Sequence, residues 1–137
     1  LAAKTNVLDK IIFSGGINHK ELPEKYNTGK IFINTSHTGS MDKAGLEAMA
    51  SGLLLLTSNT AVAEILSNYK DLLLAEEHNL ADKLETLLKL PETKRKEIAY
   101  YLRQQVINYH SVDSLISKMI VEFQTLVNKS YQVYGKQ

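Results

Sequence analysis

The sequence predicts an α/β fold: a parallel sheet with helices on both faces, followed by a helical C-terminal third. Two observations carry this. Short runs such as Ile31-Phe32-Ile33 and Leu53-Leu54-Leu55-Leu56 are apolar at every position and alternate with helix-like segments, the pattern of strands buried on both faces. Beyond Glu77 the apolar residues recur at helical spacing throughout.

Taken in order, Leu1 to Leu8 reads as the tail of a helix or a loop leading into the first strand. Lys10-Ile11-Ile12-Phe13-Ser14 is β-branched and aromatic, is stopped by Gly15-Gly16, and is expected to be a buried strand. Asn18 and Glu21 have capping-box spacing, and Pro23 is tolerable only in a first turn, so a short helix should end at Asn27-Thr28-Gly29. Lys30 to Thr35 is the second strand and Leu53 to Thr57 the third. Ser58-Asn59-Thr60 forms a turn or cap, Ala61 to Leu66 a short helix, and Asp71-Leu72-Leu73-Leu74-Ala75 a fourth buried strand. Leu80, Leu84, Leu87 and Leu88 line a helix that stops at Pro91, and another runs from Glu92 to Asn108. Ser111 suits the N-cap of a last helix whose Val112, Leu115, Ile116, Met119, Ile120, Phe123, Leu126 and Val127 keep a 3.6-residue rhythm; these helices read as packing elements.

Composition narrows the possible roles. At 137 residues, 44% hydrophobic and 23% charged, residues 1–137 form a single domain able to bury a core. A net charge of +1 gives no field that would draw nucleic acid, and zero cysteines exclude disulfides and thiolate metal sites. The longest apolar run, Leu53 to Leu56, is far too short to span a bilayer, and no secretory pattern opens the chain. The chain begins with Leu1 and is expected to be part of something longer.

The chemistry concentrates between Ser36 and Gly52. Asp42 is a good N-cap and Gly52 a good helix stop, so a helix should run from Lys43 to Ser51. Gly39 and Ser40 keep the preceding loop thin, and a helix N-terminus offers N–H groups and partial positive charge to an anion. Lys43 adds a full charge. Because the helix dipole prefers anions at that end, Lys43 is misplaced unless an anionic ligand sits there; the alternative is that Lys43 and Glu47 are solvated surface charges. In an open parallel sheet, ligands bind at the carboxyl ends of the strands, where the loops Ser14-Gly15-Gly16-Ile17, Ser36 to Asp42 and Ser58-Asn59-Thr60 should converge.

Leu46-Glu47-Ala48-Met49-Ala50-Ser51-Gly52, set between Ile31-Phe32-Ile33-Asn34-Thr35-Ser36 and Leu54-Leu55-Leu56-Thr57-Ser58, resembles the donor-binding half of retaining GT-B glycosyltransferases of family 4. Ile12-Phe13-Ser14-Gly15, Glu21-Leu22-Pro23, Tyr26, Ala63-Glu64-Ile65 and Leu72-Leu73-Leu74 follow in the family's order. The resemblance implies a Rossmann-like, partial GT-B C-terminal domain that binds a nucleotide-diphosphate sugar, UDP-sugar first, in bacterial glycan or polysaccharide assembly. It places Glu47 on the ribose hydroxyls, the amides of Met41, Asp42, Lys43 and Ala44 on the sugar hydroxyls and diphosphate, and Gly15, Gly16 and Ile17 at the base. A carboxylate suits a vicinal diol because it accepts from both hydroxyls.

One departure stands out: Gly39 occupies the position, eight before Glu47, of the family's first, sugar-contacting glutamate, and Asp42 stands where glycine is usual. The Thr38-Gly39-Ser40-Met41-Asp42-Lys43 form resembles a bacterial variant in which Ser40 or Asp42 would replace the lost hydrogen bond. The resemblance also implies that the acceptor-binding half, the first strands and the cations that neutralise the leaving diphosphate lie upstream. The parent would then be a hexosyltransferase and this chain alone inactive. No cofactor and no metal are expected, since His19, His37, His78 and His110 are scattered. The expected location is cytoplasmic, peripheral at the inner membrane face, with a membrane-surface acceptor. The alternatives are a non-catalytic nucleotide-binding or interaction domain, and a GT-B nucleotide-sugar epimerase fragment.

Overall fold

A computed structural model describes residues 7–134, with side chains described to residue 129. The reading of Leu1 to Leu8 therefore falls largely outside the described residues; Leu8–Lys10 forms a 3₁₀ turn. The architecture is mixed α/β, with a small parallel sheet, mostly helices, and a long helical C-terminal part.

The centre is a βαβ unit. Strand β1 (Ile31–Asn34) and strand β2 (Leu54–Thr57) pair in parallel, with Ile31 opposite Leu54 and Asn34 opposite Thr57. Helix α2 (Lys43–Ala50) is the crossover, and the short helix α1 (Leu22–Asn27) precedes β1. All four residues of β2 are buried. Since successive strand residues point to opposite faces, both faces of β2 are covered, as its unbroken apolar run predicts. β1 is less covered, with Ile33 43% exposed.

Two of the four expected strands do not form. Ile11 has extended backbone but pairs with nothing described, and Ile12 and Phe13 are 86% and 80% exposed. Extended, β-branched sequence is not sufficient for a strand; it needs a ladder partner and a surface to cover, and Ile12 and Phe13 find neither among the described residues. Asp71 to Ala75 is the second correction. Lys70–Leu73 is wound into the short helix α4, and only Leu74 makes a parallel bridge, to Thr57, where the Ala75 N–H donates to the Thr57 carbonyl at 2.7 Å. A short apolar run without alternation fits a buried helical turn as well as a strand, and Leu73 is fully buried either way. Lys83 consolidates the helical choice by donating to the carbonyls of Asp71 and Leu74 at 2.5 and 2.7 Å, groups that a helix end leaves unpaired.

The remaining helices are α3 (Ala63–Leu66), α5 (Leu80–Lys89), α6 (Glu92–Tyr109) and α7 (Val112–Tyr134). Helix α6 packs across α2, and its buried Ile98, Leu102 and Val106 join Met49, Leu54, Leu56, Leu66 and Leu87 in one core. The Lys94-Arg95-Lys96 run is more than a charged face: Arg95 donates to the carbonyls of Leu88 and Leu90 at 2.8 and 3.0 Å, closing the end of α5. Helix α7 begins where Ser111 predicts, with the Ser111 hydroxyl accepting from the Ser114 N–H at 3.2 Å. Its apolar rhythm does not become packing against the core, however, since Leu115, Met119 and Phe123 stay 57%, 46% and 58% exposed. No helix among the described residues is long and apolar enough to cross a membrane.

Gly45 shows how closely α2 lies on the sheet. It is buried in the first turn of the helix, and a Cβ there would sit 3.6 Å from a Leu55 methyl, an ordinary contact. Gly45→Ala should therefore stabilise the protein by about 0.5–1 kcal/mol, the usual helix penalty of glycine, while Gly45→Leu should destabilise it. Urea unfolding midpoints check both; a destabilised alanine variant would mean that α2 has no room for the methyl.

Candidate functional site

The loop joining β1 to α2 is held by a network of side-chain bonds. Asp42 is the N-cap of α2: its Oδ1 accepts from the Ala44 N–H at 3.0 Å, and its Oδ2 accepts from the Asn34 side-chain amide. Asn34 in turn takes the Ser36 N–H on its own Oδ1 at 2.8 Å. Both carboxylate oxygens of Asp42 are thus engaged in joining strand end to helix start, and the Ala44 amide is already donated to Asp42. Gly39 makes the bend with φ +68°, a conformation that costs an L-residue about 1 kcal/mol. The Ser40 hydroxyl donates to Thr38 Oγ1 at 3.2 Å, and Met41 is 42% exposed.

The loop after β2 supports this one from beneath. Asn59 is 1% exposed; it donates to the Ser40 carbonyl at 2.8 Å, accepts from the Ala61 N–H at 3.0 Å, and its own N–H bonds Thr57 Oγ1 at 3.0 Å. Two of the three loops expected to converge, Ser36 to Asp42 and Ser58 to Thr60, therefore do so through one buried amide.

Glu47 lies one turn into α2, 26% exposed. Its Oε1 is 3.4 Å from Lys43 Nζ and 4.0 Å from His19 Nε2, and Lys43 and His19 are themselves 3.3 Å apart. Its Oε2 accepts a long, 3.4 Å hydrogen bond from the Tyr26 hydroxyl. Tyr26 is wedged edge-on against Phe32 of β1, ring centroids 5.9 Å apart at 76°. Partial burial, then the nearby Glu47 charge and its hydrogen bond, and lastly Asp42, push the Tyr26 phenol above its usual pKa, so it stays a proton donor. Glu47 is no isolated surface charge: three elements converge on it.

His19 and Tyr26 carry this convergence and are not identifiable from spacing. His19 follows the first loop, on the 3₁₀ turn His19–Glu21 that Asn18 caps by accepting from the Lys20 N–H at 3.1 Å. Of the first-loop residues, Gly16 and Ile17 line a shallow cavity of about 440 Å³ with Glu21, Glu24 and Lys25, while Gly15 turns at φ +63°. Another cavity, about 620 Å³, opens beyond the third loop between His37, Ser58, Thr60, Lys70 and Lys83. Among the described residues no group of three or more His, Asp or Glu side chains comes close enough to hold a metal ion. Asn34 and Asn59 were readable in principle, as polar residues interrupting or ending apolar strands.

Asn59→Ala should cost about 1–3 kcal/mol, since it strips a partner from the Ser40 carbonyl and the Ala61 amide. Thermal or urea unfolding measures this; a loss below about 0.5 kcal/mol, the range of an ordinary surface change, would mean the loops hold without it.

Neither a curated protein nor a solved structure matches the chain. The family described as glycosyl transferases group 1 matches residues 1–105, a span that takes in both strands, all three loops, Tyr26 and Glu47, and most of α6. The chain therefore belongs to the glycosyl transferases group 1 family.

Proposed function

We propose that this chain is the donor half of a retaining GT-B glycosyltransferase of family 4 type, and that the Glu47 carboxylate binds the ribose diol of a nucleotide-diphosphate sugar, UDP-sugar first. The observation that carries the reading is the setting of Glu47: a mostly covered carboxylate, one turn inside a helix N-terminus at the carboxyl end of β1, with cationic and phenolic donors holding it from the sides. An acceptor-only group with about four lone-pair positions, two of them engaged here, keeps two for the diol. The helix start and Lys43 supply positive charge where the diphosphate would lie, which removes the electrostatic objection to a lysine in that turn.

The sugar contact falls to Ser40 rather than Asp42, because Ser40 presents an exposed hydroxyl while both Asp42 oxygens serve the helix cap and Asn34. Gly16 and Ile17, lining their cavity on the loop that leads to His19, suit a base held partly through main chain. Bacterial glycan assembly is the setting this reading favours.

Glu47→Ala removes two charge-assisted hydrogen bonds to the diol, so isothermal titration calorimetry with uridine diphosphate should show affinity falling by about 30-fold or more, on the order of 2 kcal/mol. Unchanged affinity in the variant would refute the ribose assignment; no binding by the wild-type chain to uridine diphosphate or any other nucleoside diphosphate would refute the donor site altogether.

A further inference from the structure

Of the groups that touch Glu47, only one is stiff. Lys43 and His19 both approach Oε1 on side chains that are 74% and 70% exposed, and they crowd the same oxygen from the solvent side. Among the described residues, Tyr26 alone approaches Oε2. It has just two side-chain torsions, is partly buried, and is braced edge-on by Phe32, itself fixed in β1 opposite Leu55. A glutamate left to itself turns freely about its last torsion, which is broad rather than locked into staggered wells. A phenol fixed to the strand and aimed at one carboxylate oxygen is what stops that rotation.

We infer that Tyr26 is the positioning residue of the ribose site: its hydroxyl fixes the plane of the Glu47 carboxylate, and so makes the site discriminate ribose from 2′-deoxyribose in a nucleoside diphosphate. This rests on the assignment of Glu47 proposed above. The division of labour follows from the geometry. Tyr26 and Lys43 approach different oxygens, and the lone pairs they leave, fixed relative to each other within the rigid carboxylate, face a ligand in one direction only if the carboxylate plane is held. Two hydroxyls on adjacent ribose carbons need both at once, whereas a 2′-deoxyribose needs one and tolerates a turned carboxylate. Packing on Phe32 alone would be served equally by phenylalanine, so the hydroxyl is what the site uses.

The test uses the full chain as wild type, Tyr26→Phe, Glu47→Gln and the double variant, titrated calorimetrically with uridine diphosphate and 2′-deoxyuridine diphosphate. Wild type should prefer the ribonucleotide by about tenfold or more. Tyr26→Phe, with its ring still against Phe32 and an unchanged unfolding midpoint, should weaken uridine diphosphate by roughly five- to tenfold and leave the deoxy compound within about twofold, so that the preference collapses. In the Glu47→Gln background the same substitution should change the preference no further. A preference intact in Tyr26→Phe, or equal losses in both backgrounds, would overturn the inference and leave the Glu47 assignment standing. Loss of the fold in Tyr26→Phe would also overturn it, since the hydroxyl would then serve stability. A wild type that binds both nucleotides equally would instead remove the Glu47 assignment, and this inference with it.

Discussion

The carboxylate of Asp42 is the joint on which the site depends. One oxygen caps α2 and the other accepts from Asn34 at the end of β1, so a single side chain fixes where the helix starts relative to the strand that leads into it. Lys43 and Glu47 both inherit their place from that joint. Move the start of α2 and Lys43 and Glu47 move together, since they are one turn apart on the same helix, while Tyr26 and His19, on the preceding segment, stay behind. The cap is thus a stability device whose geometric consequence is an aligned carboxylate.

Packing makes the alignment rigid. Helix α2 lies close enough on β2 for Gly45 to meet Leu55 without a side chain of its own, and on its other side it crosses α6, whose Ile98 and Leu102 are fully buried. A helix trapped between a strand and a second helix has little freedom to tilt, so the polar groups at its N-terminal turn present a fixed constellation. The buried Asn59 extends this control to the loop, tying the Ser40 carbonyl to the segment after β2. The apolar layer and the polar joints therefore act in series: burial sets the elements, and the Asp42 and Asn59 bonds set the loop between them.

What could be read from sequence follows the same division. The local signals were reliable where a chemical group acts on its own neighbours: Asp42 as cap, Gly52 as stop with φ +84°, Ser111 as the start of α7, and the helix between Lys43 and Ala50. The continuous apolar run of β2 correctly implied cover on both faces. Reading failed where the outcome depended on a distant partner. Ile11 to Phe13 has strand chemistry but no ladder among the described residues, and Leu72 to Leu74 is apolar in a way that a helical turn satisfies as well as a strand. Arg95 and Lys83 carry no sequence signal of their roles because the carbonyls they close belong to the ends of other helices. Tyr26 and His19 reach Glu47 across 21 and 28 residues, a separation that no periodicity encodes.

Gly39 can be understood in the same terms. The resemblance places a sugar-contacting glutamate there, and the structure gives the position a left-handed backbone with nothing within 4 Å of where a Cβ would be. Space therefore does not explain the glycine; conformation does. A glutamate would carry a penalty of about 1 kcal/mol in this bend, and the bend is what lets the chain turn from Ser36 into the Asp42 cap while Asn59 holds Ser40 from below. The loop has in effect exchanged a long acidic side chain for a tighter path. The available polarity then rests on Ser40 and Lys43, one exposed hydroxyl and one exposed ammonium, while the carboxylate at the helix N-terminus is that of Asp42, committed to the cap and to Asn34.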